Sequence, residues 1–402
     1  MALHEISAEL GNVPAARPAP SARKKRHWRQ YALQAVILLL IAGFIAYIVS
    51  NTLANMDRLG IRYGLGFLGQ AAHFDISQHF IPYDATSTYA TVFLVALINT
   101  VVLAVICIVL STILGLVVGL FRLSTNPLLA FVATLYVNVI RNIPLLLQLF
   151  YWYFAALATF PVVRQSIVLP GDIYLNRRGV FFASPVPQQS FTAFAIAVLI
   201  GAAVWWFSGR SARRHRISTG HSTWLRWLGP AAIVVLPALV WIVGGASFVL
   251  DVPVPKGFNL TGGYSLLPEF AAMIMALTFY NAAFISELVR GGVQSVAKGQ
   301  TEAATALGLT RTQIYAKITV PQALRAIIPP LSTQYLQLLK ATSLGAAIAY
   351  PDLMLVFAGT ALAQTSQPIE IMIITLLAYL VLGLGIAAAT NLFNRRVQIR
   401  ER

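Results

Sequence analysis

The chain has 402 residues, of which 58% are hydrophobic and 10% charged, and a mean hydropathy of +0.73. That balance excludes an ordinary soluble domain and describes a polytopic membrane protein. The 29 Lys and Arg against 13 Asp and Glu leave a net charge of +16, but in a membrane protein such an excess marks cytoplasmic loops before it marks a nucleic-acid partner. A single cysteine, Cys107 in an apolar run, excludes a disulfide framework or a cysteine metal cluster and reads as a small core residue.

A helix needs about 20 apolar residues to cross a hydrocarbon core about 30 Å thick. Eight stretches meet or approach that length: 31–50, 89–121, 128–160, 191–207, 228–250, 270–288, 326–350 and 371–390. The expected fold class is all-α. The third stretch, at about 1.5 Å per residue, would extend about 50 Å, too far for one simple crossing. Pro144 is read as its break, with 128–140 an interfacial or half-inserted helix, 143–160 the crossing, and Arg141 snorkelling to the headgroups.

Lys and Arg distribute unevenly over the intervening loops. Alternating the loops between two sides puts 21 of the 29 on the side of the N-terminal segment and six on the other, with Arg141 and Lys340 inside spans. By the positive-inside rule the first side is cytoplasmic, and both termini are expected there. Acids run the other way, with Asp57, Asp75, Asp84, Asp172, Asp251, Glu269, Asp352 and Glu370 outside. Residues 1–30 are rich in Ala and Pro before a basic cluster and read as a flexible tail. The apolar run that follows has no small-residue cleavage site, so an uncleaved anchor is expected rather than a signal peptide.

Some motifs are absent or false. Gly64-Leu65-Gly66-Phe67-Leu68-Gly69 matches a dinucleotide glycine pattern, yet it lies in an external loop and reads as turns. The six histidines form no zinc spacing, and the sequence has no P-loop, nucleophile elbow or other catalytic constellation. No metal site is expected, and the chain does not read as an enzyme.

The informative segment is the cytoplasmic loop 290–325, RGGVQSVAKGQTEAATALGLTRTQIYAKITVPQALR. Gln300 and Thr301 are expected to open a helix, with Glu302 in its first turn against the macrodipole and Ala303, Ala304 and Ala306 giving it a small-residue surface. Gly308 sits where a left-handed cap ends that helix, Thr310 starts a second, and Pro321 is expected to stop the second. The product is a helix-turn-helix against the membrane that another protein can approach closely. A merely solvated interfacial loop is the blander reading, and this loop taken alone favours it.

Glu302-Ala303-Ala304, three residues, Gly308, nine residues, Ile318 and then Val320-Pro321 resembles the EAA loop of ABC importer permeases, whose pattern has Leu at the position of Val320. Arg141-Asn142-Ile143-Pro144-Leu145-Leu146-Leu147-Gln148, Lys340-Ala341-Thr342-Ser343-Leu344 and Ser286-Glu287-Leu288-Val289-Arg290-Gly291-Gly292 resemble the polar amino acid branch of that family. The implied fold is an all-α polytopic membrane protein of about eight transmembrane helices around a five-helix MetI-like core. Its first part would be 89–160 and its second 267–394. Residues 31–88 would be an extra first helix and periplasmic loop, 161–266 an insert with two extra helices, and 395–402 a cytoplasmic tail. The extra helix and the insert resemble the general L-amino acid permeases within the branch.

The resemblance implies an ATP-driven importer in the bacterial inner membrane, carrying a broad range of L-amino acids that includes acidic and neutral polar ones. The implied partners are a second homologous permease in a heterodimer, an ABC ATPase dimer, a periplasmic amino acid-binding protein and the lipid membrane. ATP and Mg would bind the ATPase, with no cofactor in this chain. Glu302, Ala303, Ala304, Gly308, Ile318 and Pro321 would couple to the ATPase. Ionisable groups inside spans are functional candidates by default. Lys340 beside Thr342 and Ser343 suits an α-carboxylate and Glu287 an α-ammonium, with Asn281 a further substrate candidate. Structural roles compete: Glu287 and Arg290, spaced i,i+3, suit a plain ion pair, Lys340 suits snorkelling, Thr342 and Ser343 suit bonds to backbone carbonyls, and Asn281 suits a helix–helix contact. An ion-gradient-driven secondary amino acid transporter is the alternative, but the halves show no repeat and Glu287 is the one acid placed inside a span.

Overall fold

The computed structural model of the protein describes residues 28–59, 64–185, 189–219, 224–244, 250–256 and 259–397. Most of the two expected tails and the end of the fifth apolar stretch lie outside the described residues. The chain falls into two units, Met1–Arg62 and Tyr63–Arg402. The first is described by one helix, α1 (Trp28–Leu59), apolar over a length that crosses a membrane, with Arg58 in its last turn at the negative end of the helix dipole.

In the second unit, α2 (Tyr89–Arg122) begins at Thr88, whose hydroxyl accepts from the Thr91 amide. Asn126 caps α3 (Pro127–Asn142) by accepting from the Leu128 and Leu129 amides, and Pro127 takes the first turn, where no donor is needed. The chain then breaks where the sequence suggests, because Pro144 lacks an amide and pushes Ile143 into an extended conformation. α4 (Leu145–Phe150), a π turn at Tyr151–Ala156 and a 3-10 turn at Leu157–Thr159 leave at 105° to α3. This second arm is about 22 Å long, shorter than the crossing expected over 143–160.

The insert departs most from expectation. The two expected helices are present as a packed hairpin, α5 (Gln189–Thr219) and α6 (Leu225–Gly244), but their apolar runs are shorter than those of the other candidate spans. Eight short strands bracket them: β1 (Ile167–Leu169), β2 (Ile173–Asn176), β3 (Gly179–Phe182) and β4 (Ser184–Pro185) before, and β5 (Leu250–Asp251), β6 (Val254–Lys256), β7 (Asn259–Thr261) and β8 (Tyr264–Leu266) after. An antiparallel sheet runs β1-β2-β3-β8, pairing Ile167 with Leu175, Tyr174 with Phe181 and Val180 with Leu266, while β4–β5 and β6–β7 form two ribbons. Runs of two to four residues are too short to show an alternating pattern, which is why the sequence reading has only loop here.

α7 (Pro268–Gln294) follows β8 almost directly, and α8 (Lys298–Ala306), α9 (Arg311–Ile314), a π turn at Tyr315–Thr319 and α10 (Val320–Ala341) carry the chain on. Pro321 does not stop the second short helix. It lies in the first turn of α10, and the π turn ahead of it accommodates the missing donor. A 3-10 segment at Thr342–Ile348, the left-handed residue Ala349 and a π segment at Leu353–Ala361 bend the path by 55° before α11 (Leu362–Thr365) and α12 (Pro368–Val397). Among the described residues four helices are long and apolar enough to cross a membrane, or six if each bent pair is one span, against eight expected stretches.

Two apolar clusters hold this unit together. One gathers Leu103, Cys107, Leu149, Met273, Leu338 and Tyr350, the other Phe67, Val92, Val95, Leu353, Phe357 and Ile371. Phe67 thus anchors the glycine-rich turn in the core. α2 packs tightly on α7 at Gly115 and Gly119, where an added Cβ would come within 2.7 Å of Ile285 or Val289. Gly119→Leu should destabilise the protein by about 1–3 kcal/mol through overpacking. Gly385→Leu, whose Cβ meets nothing within 4 Å, should leave the Tm unchanged, a contrast that thermal unfolding of the purified protein checks.

Candidate functional site

The loop between α7 and α10 has a defined shape. α8 ends at Gly308, whose φ of 74° suits glycine; the Gly308 amide donates to Thr305 O and the Leu309 amide to Ala304 O, closing the helix end. Thr310 then caps α9 in a reciprocal box, accepting from the Gln313 amide while its own amide donates to Gln313 Oε1. α8 opens at Lys298 rather than at Gln300 or Thr301, so Glu302 falls in its second turn. Ala304 and Ile314 are buried and Ile318 and Pro321 half-buried, whereas Glu302, Ala303 and Gly308 are exposed. Leu307, four residues after Ala303 on the same helix face, is 81% exposed. The hairpin therefore turns one apolar seam inward and offers a second outward.

Glu287 of α7 is clamped by three arginines. Arg122 at the end of α2 donates to Oε2 at 2.5 Å, Arg290 donates to Oε1, and Arg141 of α3 lies 3.8 Å from Oε2 with its guanidinium 5.0 Å over the Phe284 ring. The Arg122 side chain is only 8% exposed, and a charge so far from water is tolerable when paired. The expected Glu287–Arg290 pair is present, extended by two arginines that no sequence spacing links to it, and it ties α2, α3 and α7 together.

Lys340 lies elsewhere. α7 and α10 pack in an antiparallel register that sets Gly292 against Ile327 and Met273 against Gly345. Lys340 is then level with the Thr278 region of α7, roughly 14 Å along the axis from Glu287. The expected grouping of Glu287 with Lys340 around one amino acid is not assembled within this chain. Lys340 is exposed in the last turn of α10, where the helix dipole favours a cation. Thr342 is buried and donates to Leu339 O, Ser343 donates to Lys340 O, and buried Asn281 donates to Leu277 O, so all three bond to backbone carbonyls.

Beside that segment is a buried polar knot that the sequence reading does not include. Asp352, expected in an external loop, is fully buried and caps the π segment by accepting from the Leu355 amide. Asn99 of α2 donates to Gln78 O and Pro351 O, Thr100 accepts from the Leu353 amide, and Tyr350 donates to Asn99 O while stacking on Phe270. At the other break Gln148 Nε2 donates to Ile140 O and Ile143 O. The available signal was Asn99-Thr100 within an otherwise apolar span, since polar side chains there usually bond to another element.

Apolar helices long enough to cross a membrane, interrupted at two internally bonded points and with a capped hairpin at one end, describe a helical membrane protein. A family model described as "Binding-protein-dependent transport system inner membrane component" matches residues 211–399. The putative amino-acid ABC transporter permease protein YhdX of Escherichia coli K12 is 41% identical over 402 residues, covering 99% of this chain and 100% of its own. The general L-amino acid transport system permease protein AapQ of Rhizobium johnstonii is 42% identical, covering 93% of this chain and 94% of its own. The glutamate/glutamine/aspartate/asparagine transport system permease protein BztB of Rhodobacter capsulatus is 32% identical, covering 93% and 95%. The chain belongs to the family of ABC transporter permeases and is a multi-pass inner membrane protein. Membership implies a binding protein and an ATPase on a separate subunit as partners.

Glu287→Gln strands three arginines and should cost about 3 kcal/mol of stability. Arg290→Gln leaves Glu287 two partners and should cost about 1 kcal/mol or less. Thermal unfolding of the purified complex ranks the two.

Proposed function

We propose that this chain is one of two homologous permease subunits, paired as a heterodimer on an ATPase dimer, that pass L-amino acids from periplasm to cytoplasm. Both termini are cytoplasmic in this reading, and 89–160 with 267–394 form the core. The names of YhdX, AapQ and BztB support an amino acid substrate, and those of AapQ and BztB support a broad range that includes acidic and neutral polar species. The observation that carries the reading is the capped α8–α9 hairpin, with Ala304 and Ile314 buried and Glu302, Ala303 and Leu307 presented to solvent. That outer seam is the surface offered to the ATPase.

Movement of the hairpin reaches the pathway through α10. α9, the π turn and α10 form one path from Arg311 to Ala341, about 45 Å at helical rise, with Lys340 in its last turn and Ser343 just beyond it. Ile318 and Pro321 lie along it. ATP-driven closure that shifts the hairpin tilts this lever against α7, and so changes access to the far end. There the exposed Lys340 ammonium receives the α-carboxylate of the substrate, while Glu287, committed to its arginines, braces the opposite end. Thr342 and Asn281 shape the pathway by holding backbone in place rather than by offering free donors.

Gly308→Val forces a β-branched residue into the left-handed region, costing about 1–2 kcal/mol at the hairpin corner. ATP hydrolysis should persist while transport in reconstituted vesicles falls about tenfold, and Gly308→Asn, which tolerates that conformation, should be milder. Unchanged coupling in Gly308→Val removes the hairpin's assigned role. Lys340→Met should reduce uptake of neutral and acidic amino acids about 10- to 100-fold, the worth of a charge-assisted hydrogen bond. Intact uptake removes Lys340 from the substrate path.

A further inference from the structure

Between the 3-10 turn at Val163–Gln165 and the β2–β3 turn lies a concavity of about 470 Å³ lined by Val162, Val163, Arg164, Arg177 and Arg178. These arginines are all the Lys and Arg between positions 142 and 209, and the fold brings them to one spot. The frame around them is firmly bonded. The Arg177 amide donates to Pro161 O and its Nε to Phe160 O, and the Arg178 amide donates to Oδ1 of buried Asn176. Arg178 Nη1 donates to Asn259 Oδ1, and Asn176 Nδ2 donates to Ser166 Oγ. All of these acceptors are neutral. Among the described residues no carboxylate lies within ion-pair distance of Arg177 or Arg178, and Asp172 sits at the far end of β2, about 13 Å of strand away. At Arg177 and Arg178 the concavity therefore presents positive charge with no carboxylate beside it.

Position decides what that charge meets. β8, in the same sheet, leads into the start of α7, and α8 follows its end, so the sheet and the coupling hairpin lie at opposite ends of a 27-residue helix, about 40 Å apart. The concavity is on the side away from the ATPase, where substrate arrives. All three arginine side chains are exposed, an arrangement suited to steering and brief contact with a large partner rather than to enclosing a small solute. We propose that this basic concavity is a docking surface for the substrate-binding protein, whose surface carboxylates meet Arg164, Arg177 and Arg178. The assignment rests on the importer reading above.

The test uses the complete complex in lipid nanodiscs. The Kd and association rate of the amino acid-loaded binding protein are measured at low and high salt for the wild type, Arg177→Glu/Arg178→Glu and Arg177→Gln/Arg178→Gln, together with the ATPase rate without binding protein. Charge reversal should raise Kd about tenfold at low salt, chiefly by slowing association, and flatten the salt dependence, with basal ATPase unchanged and the Gln variant intermediate. An unchanged Kd and salt dependence in both variants overturns the docking surface. So does normal docking with lost binding of free L-glutamate, which would make the concavity a small-anion site. If the wild type neither binds the protein nor hydrolyses ATP faster in its presence, the importer reading fails first and takes the docking surface with it.

Discussion

Inside a bilayer there is no water to receive a free amide or carbonyl, so wherever an apolar helix is interrupted the protein must supply the missing partners itself. This constraint organises the second unit. At Ile143-Pro144 the side chain of Gln148 reaches back to the carbonyls of Ile140 and Ile143. At residues 349–352 the reversal is closed by Asn99, Thr100, Tyr350 and Asp352, which together engage backbone groups on both sides of the bend. Each interruption is thereby a fixed elbow. The elbows set the directions in which the Arg141 arm and the Lys340 segment leave the bundle.

α2 is the spine to which these elbows are fastened. Near its start Asn99 and Thr100 hold the chain reversal; further along Gly115 and Gly119 let α7 come close; at its end Arg122 grips Glu287. The three attachments use different physics: hydrogen bonding in a dry interior, steric fit, and a shielded ion pair. Because α7 is held at two of them, it is a stiff reference against which the continuous α9–α10 path can tilt. In the proposed mechanism that difference in stiffness turns a movement at the hairpin into a change at Lys340.

What could be read from residues alone was local in origin. The helix end at Gly308, the start of a second helix at Thr310 and the break at Pro144 each follow from the chemistry of a few adjacent residues, and the structure has all three. Pro321 shows the limit of such reading, since a π turn at Tyr315–Thr319 carries the chain into α10 with Pro321 in its first turn. The insert's strands escaped notice because segments of two to four residues have no period, and the pairing of β3 with β8 across the 81 residues between them is a tertiary fact.

The candidate site divides along the same line. Composition, span length and the capping residues of the loop 290–325 sufficed for a polytopic membrane protein with a helical hairpin between two spans, because hydrophobic length and helix capping are properties of contiguous chain, while the permease reading came from the resemblance of that loop. The partners of Glu287, the burial of Asp352, the separation of Lys340 from Glu287 and the gathering of Arg164 with Arg177 and Arg178 came only with the fold. Each depends on which remote helices or turns become neighbours, and a charge or amide buried in a low-dielectric interior takes its role from those neighbours rather than from its place in the sequence.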